Sequence, residues 1–200
     1  YNVLYAIGYV DGKPVAEDYI VLENLPQSPD FNLLYQDLKP ILKAADGYNY
    51  IYRVNCGGDE YMDEYGQQWE TDVALKQNNV WGSFSWADQF DDVNPYQASQ
   101  RVTNDPIKGT KDWELFGHYR FGRHQLGYHI PVPDGKYRVE LYFTEPWYGT
   151  GGNKDCEGYR VFDVAINDSI VISDLDIWAE TGHDAALKQV VDAVITNGEL

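Results

Sequence analysis

Apolar and polar side chains alternate along "KYRVELYF" (136–143). Tyr137, Val139, Leu141 and Phe143 fall on one side; Lys136, Arg138, Glu140 and Tyr142 fall on the other. A period of two predicts a strand with one face on a core. Asp134-Gly135 predicts the turn between this strand and a shorter one in "GYHIPV". "YRVFDVAINDSIVISDLDIW" (159–178) predicts a hairpin turning at Asn167-Asp168, with Phe162, Val164 and Ile166 inward. "LKQVVDAVITNGEL" adds a strand that ends on the hairpin signal Asn197-Gly198. "YNYIYRVNCGG" reads as a strand running into glycines, and 64–116 as a long functional loop region rich in Trp, Asn, Asp and Gly. Residues 2–22 predict a further hairpin about Asp11-Gly12, which needs other strands to bury its face. Residues 23–30, with Pro26 and Pro29, read as a linker. Phe31, Leu34, Leu38 and Leu42 suit helical turns interrupted by Pro40.

These elements predict an all-β fold, an antiparallel β-sandwich over 48–200. The preceding parts are the hairpin (1–25) and a linker with short helical turns (26–47). The chain starts at Tyr1 within a strand, and two residues follow Asn197-Gly198. It therefore reads as an excerpt of a larger polypeptide, with the strand after Asn197-Gly198 missing.

Composition narrows the function. Seventeen Tyr against one Met favour strands and supply flat aromatic faces. A net charge of -17 disfavours nucleic acid and anionic membranes; it reads first as a solubilising surface and, as a functional signal, suits a neutral or cationic ligand. No apolar run reaches the ~20 residues of a membrane span. Cys56 and Cys156 fit neither a disulfide framework nor a zinc pattern, and leave one bridge or two free thiols open. His118, His124, His129 and His183 have no zinc-ligand spacing. No cofactor is expected; Asp174, Asp176 and "NKDCEG" are the stretches that could hold a structural calcium ion through oxygens.

Three segments carry a family resemblance. "YRVNCGGDEYMDEYGQQWETD", "HYRFGRHQLGYHIPVPDGKYRVELYFTE" and "RVFDVAINDSIVISDLDIWAETGHD" resemble, in order, the blocks of malectin domains over about 48–200. The loops "VWGSFSWADQF" and "EPWYGTGGNKDCEGYRVFDV" look most like malectin-like modules appended to bacterial family 2, β-galactosidase-like glycoside hydrolases. The resemblance implies a jelly-roll-like β-sandwich preceded by an immunoglobulin-like domain, whose last hairpin would be 1–22. It implies an extracellular or periplasmic setting and partners that are oligosaccharides, polysaccharides and neighbouring domains of one polypeptide. It carries the family's binding aromatics onto Trp147, Tyr148, Tyr119 and Tyr96, with Trp147 where the type member has Tyr. The family's site aspartate would lie beyond Leu200.

The chemistry of "FTEPWYGTGG" (143–152) agrees with that resemblance. An aromatic ring offers a flat apolar partner to the C–H face of a sugar, with few torsions to order. Glu145 and neighbouring polar groups would hydrogen-bond hydroxyls, and the glycines would let the backbone approach. Trp81, Phe84 and Trp86 alternate as core residues, and Trp178 would pack under the last hairpin. A non-catalytic carbohydrate-binding module is the leading expectation. A bracing domain of a parent enzyme is the alternative. A glycosidase in its own right, needing two carboxylates ~5–5.5 or ~6.5–9.5 Å apart, is the second alternative.

Overall fold

The computed structural model describes residues 2–22, 38–76, 79–152 and 154–200, and in the first hairpin the side chains of 6–19. The linker 23–30 and the stripe positions Phe31 and Leu34 lie outside the described residues. The protein is an all-β sandwich of mostly antiparallel pairs.

The chain opens with β1 (Asn2–Val10) and β2 (Lys13–Leu22), paired antiparallel about Asp11 and Gly12. Both turn residues have positive φ, 49° and 73°, as a tight hairpin of matching twist requires. Every described side chain from Ala6 to Tyr19 is exposed, so both faces of this hairpin lie open. After it, 38–47 forms turns rather than a helix, consistent with Pro40. Leu42 is nevertheless 2% exposed and joins the core.

Short strands follow: β3 (Val54–Asn55), β4 (Tyr61–Met62), β5 (Gln68–Thr71) and β6 (Gly82–Ser85). β5 pairs antiparallel with β4 and parallel with β3. The expected strand over "YNYIYRVN" thus shrinks to two residues. A 3₁₀ turn (Trp86–Gln89), α1 (Pro95–Ala98), β7 (Gln100–Val102), α2 (Trp113–Gly117), β8 (His118–Arg120) and β9 (Leu126–His129) complete the loop-rich half. β6 pairs with β9, and β7 with β8.

The longer strands are β10 (Gly135–Phe143), β11 (Phe162–Ile166), β12 (Ser169–Leu175) and β13 (Leu187–Ile195), with α3 (Ile177–Thr181) between the last two. β10 pairs with β13 over nine residues, and β11 with β12 about Asn167, whose φ is 51°. After Gly198 the chain turns back beside 130–132: Ile130 and Leu200 exchange backbone hydrogen bonds of 2.7 and 2.8 Å.

β10 packs on both of its faces. Its odd-numbered residues Tyr137, Val139 and Phe143 pack with Ala193, Leu187, Phe162, Val164 and Ile166. The other face is covered too: Tyr142 packs with Trp69 and Phe116, edge-on at 5.5 and 6.1 Å. The one-sided alternation therefore belongs to a strand covered on both sides. Glu140 is tolerated there because four donors surround it: Tyr50, Arg138, Tyr142 and Lys188 at 2.8–2.9 Å.

Around β6 the core reading of the aromatics does not hold. The inward positions are Ser83 and Ser85, both 4% exposed. Ser83 accepts a hydrogen bond from the Arg120 guanidinium, and Ser85 caps the 3₁₀ turn. A buried guanidinium needs acceptors, so hydroxyls replace apolar groups there. Phe84 lies over Gly127, where a Cβ would come within 2.4 Å of its ring, and Trp86 is half-buried.

Candidate functional site

Pro146 and Trp147 follow directly on the β10 extension at Glu145. The Glu145 side chain, 1% exposed, turns back beneath its own loop. Oε1 accepts the backbone N–H groups of Trp147 and Tyr148, each at 3.0 Å, and Oε2 accepts Arg160 Nε at 2.5 Å. Both oxygens are engaged within the protein, so this carboxylate holds the loop rather than facing a ligand. Thr150 closes the turn, donating from Oγ1 to the Trp147 carbonyl at 2.7 Å.

The backbone is thereby fixed while the Trp147 indole is 69% exposed. Among the described residues its ring has no aromatic, cationic or hydrogen-bond partner. Tyr148 differs. Arg160 stacks on its ring at 4.9 Å and Tyr159 meets it edge-on at 5.4 Å. Gly149 then turns with φ 93°, and a Cβ there would fall 2.8 Å from Trp178 Nε1 and 3.0 Å from His183 Cβ. Only glycine meets both conditions. Trp178, expected under the last hairpin, instead supports this loop, because α3 carries it out of β12 to the strand end.

His183 clamps the base of the loop. Nδ1 lies 3.1 Å from the Glu145 carbonyl and 3.0 Å from that of Tyr148; Nε2 lies 3.0 Å from Asp184 Oδ2. All three partners are acceptors, so the ring is best served as an imidazolium donating from both nitrogens. Burial lowers its pKa, but the hydrogen bond and charge of Asp184, with the two carbonyls, raise it by more, to a net position above 6.5. A raised folded pKa contributes stability that is complete below the unfolded value and lost as pH rises through the folded one. Amide-exchange protection at Trp147 and Tyr148 is therefore expected to fall across that upper window. His183→Gln should flatten the profile; an unchanged pH dependence in that variant would show the clamp to be idle.

Tyr119, on β8, belongs to the same neighbourhood. Burial chiefly raises its pKa, and the charges of Arg101, Glu145, Arg160 and Asp184 all act on its phenol. Tyr96 sits elsewhere. Its hydroxyl donates to the Asp72 carbonyl at 3.2 Å, and its ring lies under Arg120 at 3.8 Å. The structure thus joins Trp147, Tyr148 and Glu145, leaves Tyr119 within electrostatic reach of Glu145 and Arg160, and gives Tyr96 to the packing of a buried ion pair. It adds Arg160, Tyr159 and Asp184, which sequence reasoning did not single out, and His183, which it weighed only as a metal ligand. Arg160 had a usable signal: an isolated cation in "EGYRVFD", entering β11 beside an acidic strand end.

Both cysteines are free, Cys156 buried and Cys56 exposed. Among the described residues no group of three His, Cys, Asp or Glu side chains could hold a metal ion, and no helix is long and apolar enough to cross a membrane.

Comparisons with known proteins bear on this geometry. The family model of the malectin domain matches residues 50–200. Malectin-A of Xenopus laevis is 27% identical over 151 residues, covering 75% of this chain and 47% of its own length. Malectin of Homo sapiens is 26% identical over the same span, 44% of its length. A probable leucine-rich-repeat receptor-like serine/threonine-protein kinase of Arabidopsis thaliana, RFK1, is 29% identical over 164 residues, only 16% of its length. The chain thus spans less than half of each of these relatives. Among solved structures, the β-glucuronidase of Bacteroides uniformis superposes with a TM-score of 0.57 at 21% identity, over 98% of this chain and 20% of the enzyme. A calcium-binding mutant of β-glucuronidase 2 from that organism gives 0.58 at 21% identity and the same coverage.

Proposed function

Because the chain belongs to the malectin-domain family, we propose that it is a non-catalytic carbohydrate-binding module in which Trp147 and Tyr148 form the stacking platform and Tyr119 flanks it. One observation carries this reading: an indole left 69% exposed on a loop whose backbone is pinned from below by a buried carboxylate. An apolar ring exposed on a rigid loop is poised for a ligand. The polypeptide to which the module belongs would be a glycoside hydrolase of the family 2 type, working outside the cytoplasm. The likeness of fold to an enzyme of which this chain matches one fifth supports that context.

The test is calorimetry of the folded protein against neutral oligosaccharides, with Trp147→Ala beside it. Loss of one stacking aromatic should cost about 2 kcal/mol, roughly thirty-fold in affinity. Saturable binding that Trp147→Ala leaves unchanged would overturn the assignment.

A second reading has its own support. Ile7, Tyr9, Val15 and Tyr19 on the first hairpin are 46%, 61%, 62% and 63% exposed. Apolar side chains in that density suit a face docked on a neighbouring domain. The module could then brace its parent enzyme as well as bind sugar.

A further inference from the structure

A cleft lies between the 3₁₀ turn that carries Trp86 and the turn at 122–125. It encloses about 170 Å³ and is lined by Trp86, Gln89, Phe90, Arg123 and His124. Its walls are tied together: β6 pairs with β9 through Ser85 and Leu126, and Trp86 N–H donates to the Gln125 carbonyl at 2.9 Å. Ser85 and Asp88 form a reciprocal capping box, which occupies the Asp88 carboxylate with the Ser85 amide at 2.6 Å. A Cβ on Gly122 would come within 2.8 Å of Leu126, so that turn is tight as well.

The charge of this cleft runs against the rest of the protein. The chain carries -17, yet the cleft lining holds an arginine and a histidine and no carboxylate. Arg120, Arg138 and Arg160 are ion-paired, and Arg53 and Arg101 donate hydrogen bonds to protein oxygens. Arg123 alone among the described arginines has neither; its guanidinium stacks 5.4 Å from the Trp86 ring. That stacking orients the fork and leaves its N–H groups for an outside acceptor. Beside it Phe90, 53% exposed and edge-on to Trp86 at 5.9 Å, offers an apolar face. An unpaired guanidinium next to an exposed aromatic is the complement of a sugar ring that carries a carboxylate. The volume is below the ~300 Å³ at which larger ligand pockets begin, so the cleft takes one ring.

We propose that this cleft binds a single uronic-acid residue of an acidic glycan, its carboxylate on Arg123 and its C–H face on Phe90. The site shares no residue with the Trp147 loop, though the proposal rests on reading the fold as one that takes saccharides. The test is NMR on protein with ¹⁵N-labelled tryptophan, with the Trp86 indole signal assigned through Trp86→Phe. Methyl β-D-glucuronide and methyl β-D-glucoside are titrated into the unsubstituted protein, Arg123→Gln and Trp147→Ala. The glucuronide should shift the Trp86 signal saturably and the glucoside should not. Arg123→Gln should weaken that response about ten-fold, while Trp147→Ala should leave it intact. Equal responses to the two sugars, a shift confined to Trp147, or an Arg123→Gln variant that binds as before would each overturn the proposal. A neutral oligosaccharide that fails to perturb Trp147 would count against the stacking platform instead, so the two failures are distinguishable.

Discussion

In Arg120→Met, the unfolding free energy measured in urea is expected to fall by roughly 3–5 kcal/mol. Arg120 and Asp72 have side chains 3% and 0% exposed, with Nε 2.7 Å from Oδ2. That Asp72 oxygen also accepts Gly57 N–H at 2.8 Å and the Tyr128 hydroxyl at 3.1 Å. The guanidinium reaches further, to the Tyr96 carbonyl and Ser99 Oγ, each at 2.6 Å, and to Ser83 Oγ. One cation thus ties together β6, β8, α1 and the end of β5. Methionine fills the stem volume but removes every one of these donors. It strands a carboxylate in the interior, where an uncompensated charge is expensive. Adding Asp72→Leu should return much of the loss, because the stranded charge goes with it. If Arg120→Met alone melts like the unsubstituted protein, this network is not what joins the loop-rich half.

The second large effect concerns acid. Burial pushes the Glu140 carboxyl up, but hydrogen bonds from Lys188, Arg138, Tyr142 and Tyr50 pull it down by more, to about 2 against the usual 4.5. The folded pKa is depressed. Its stabilisation is therefore complete above the unfolded value of 4.5 and drains away as pH falls toward 2. With the side chain 5% exposed, the shift corresponds to roughly 3 kcal/mol at neutral pH. Glu140→Gln should lower stability at pH 7 by that order and should remove this group's share of the acid dependence between 4.5 and 2. A variant whose denaturation curve keeps the original slope in that window would refute the assignment.

The long strands were legible because their signals are local. Asp11-Gly12 and Asn167-Asp168 adopt the turns their residues favour, with Asp11 and Asn167 both at positive φ. β10 follows from its alternation, and its nine-residue partner reads as a strand without the pairing that joins the two. The loop-rich half was not legible for the same physical reason. Strands of two to four residues, such as β3, β4 and β6, are too short to show a period. Their places are set by Asp72 and Arg120, 48 residues apart. Tyr96 illustrates the consequence: an aromatic in a loop reads as a ligand platform until a distant arginine is seen stacked on it. At the Trp147 loop the aromatics were readable. The inward turn of Glu145 and the arrival of Arg160 and His183 from other elements depend on tertiary contacts that no spacing announces.

The Glu145 clamp has an evolutionary corollary. Its hydrogen bonds run to the main-chain amides at 147 and 148, so the indole at 147 takes no part in keeping the turn. On the proposed function, substitutions at that position would alter what the surface recognises without taxing folding. A lineage could exchange one ring for another, or for none, and retarget the module in single steps. The neighbouring Tyr148 lacks that freedom, since Arg160 and Tyr159 lean on its ring. Diversity across relatives should accordingly concentrate at 147, with 145, 149 and 160 held nearly constant.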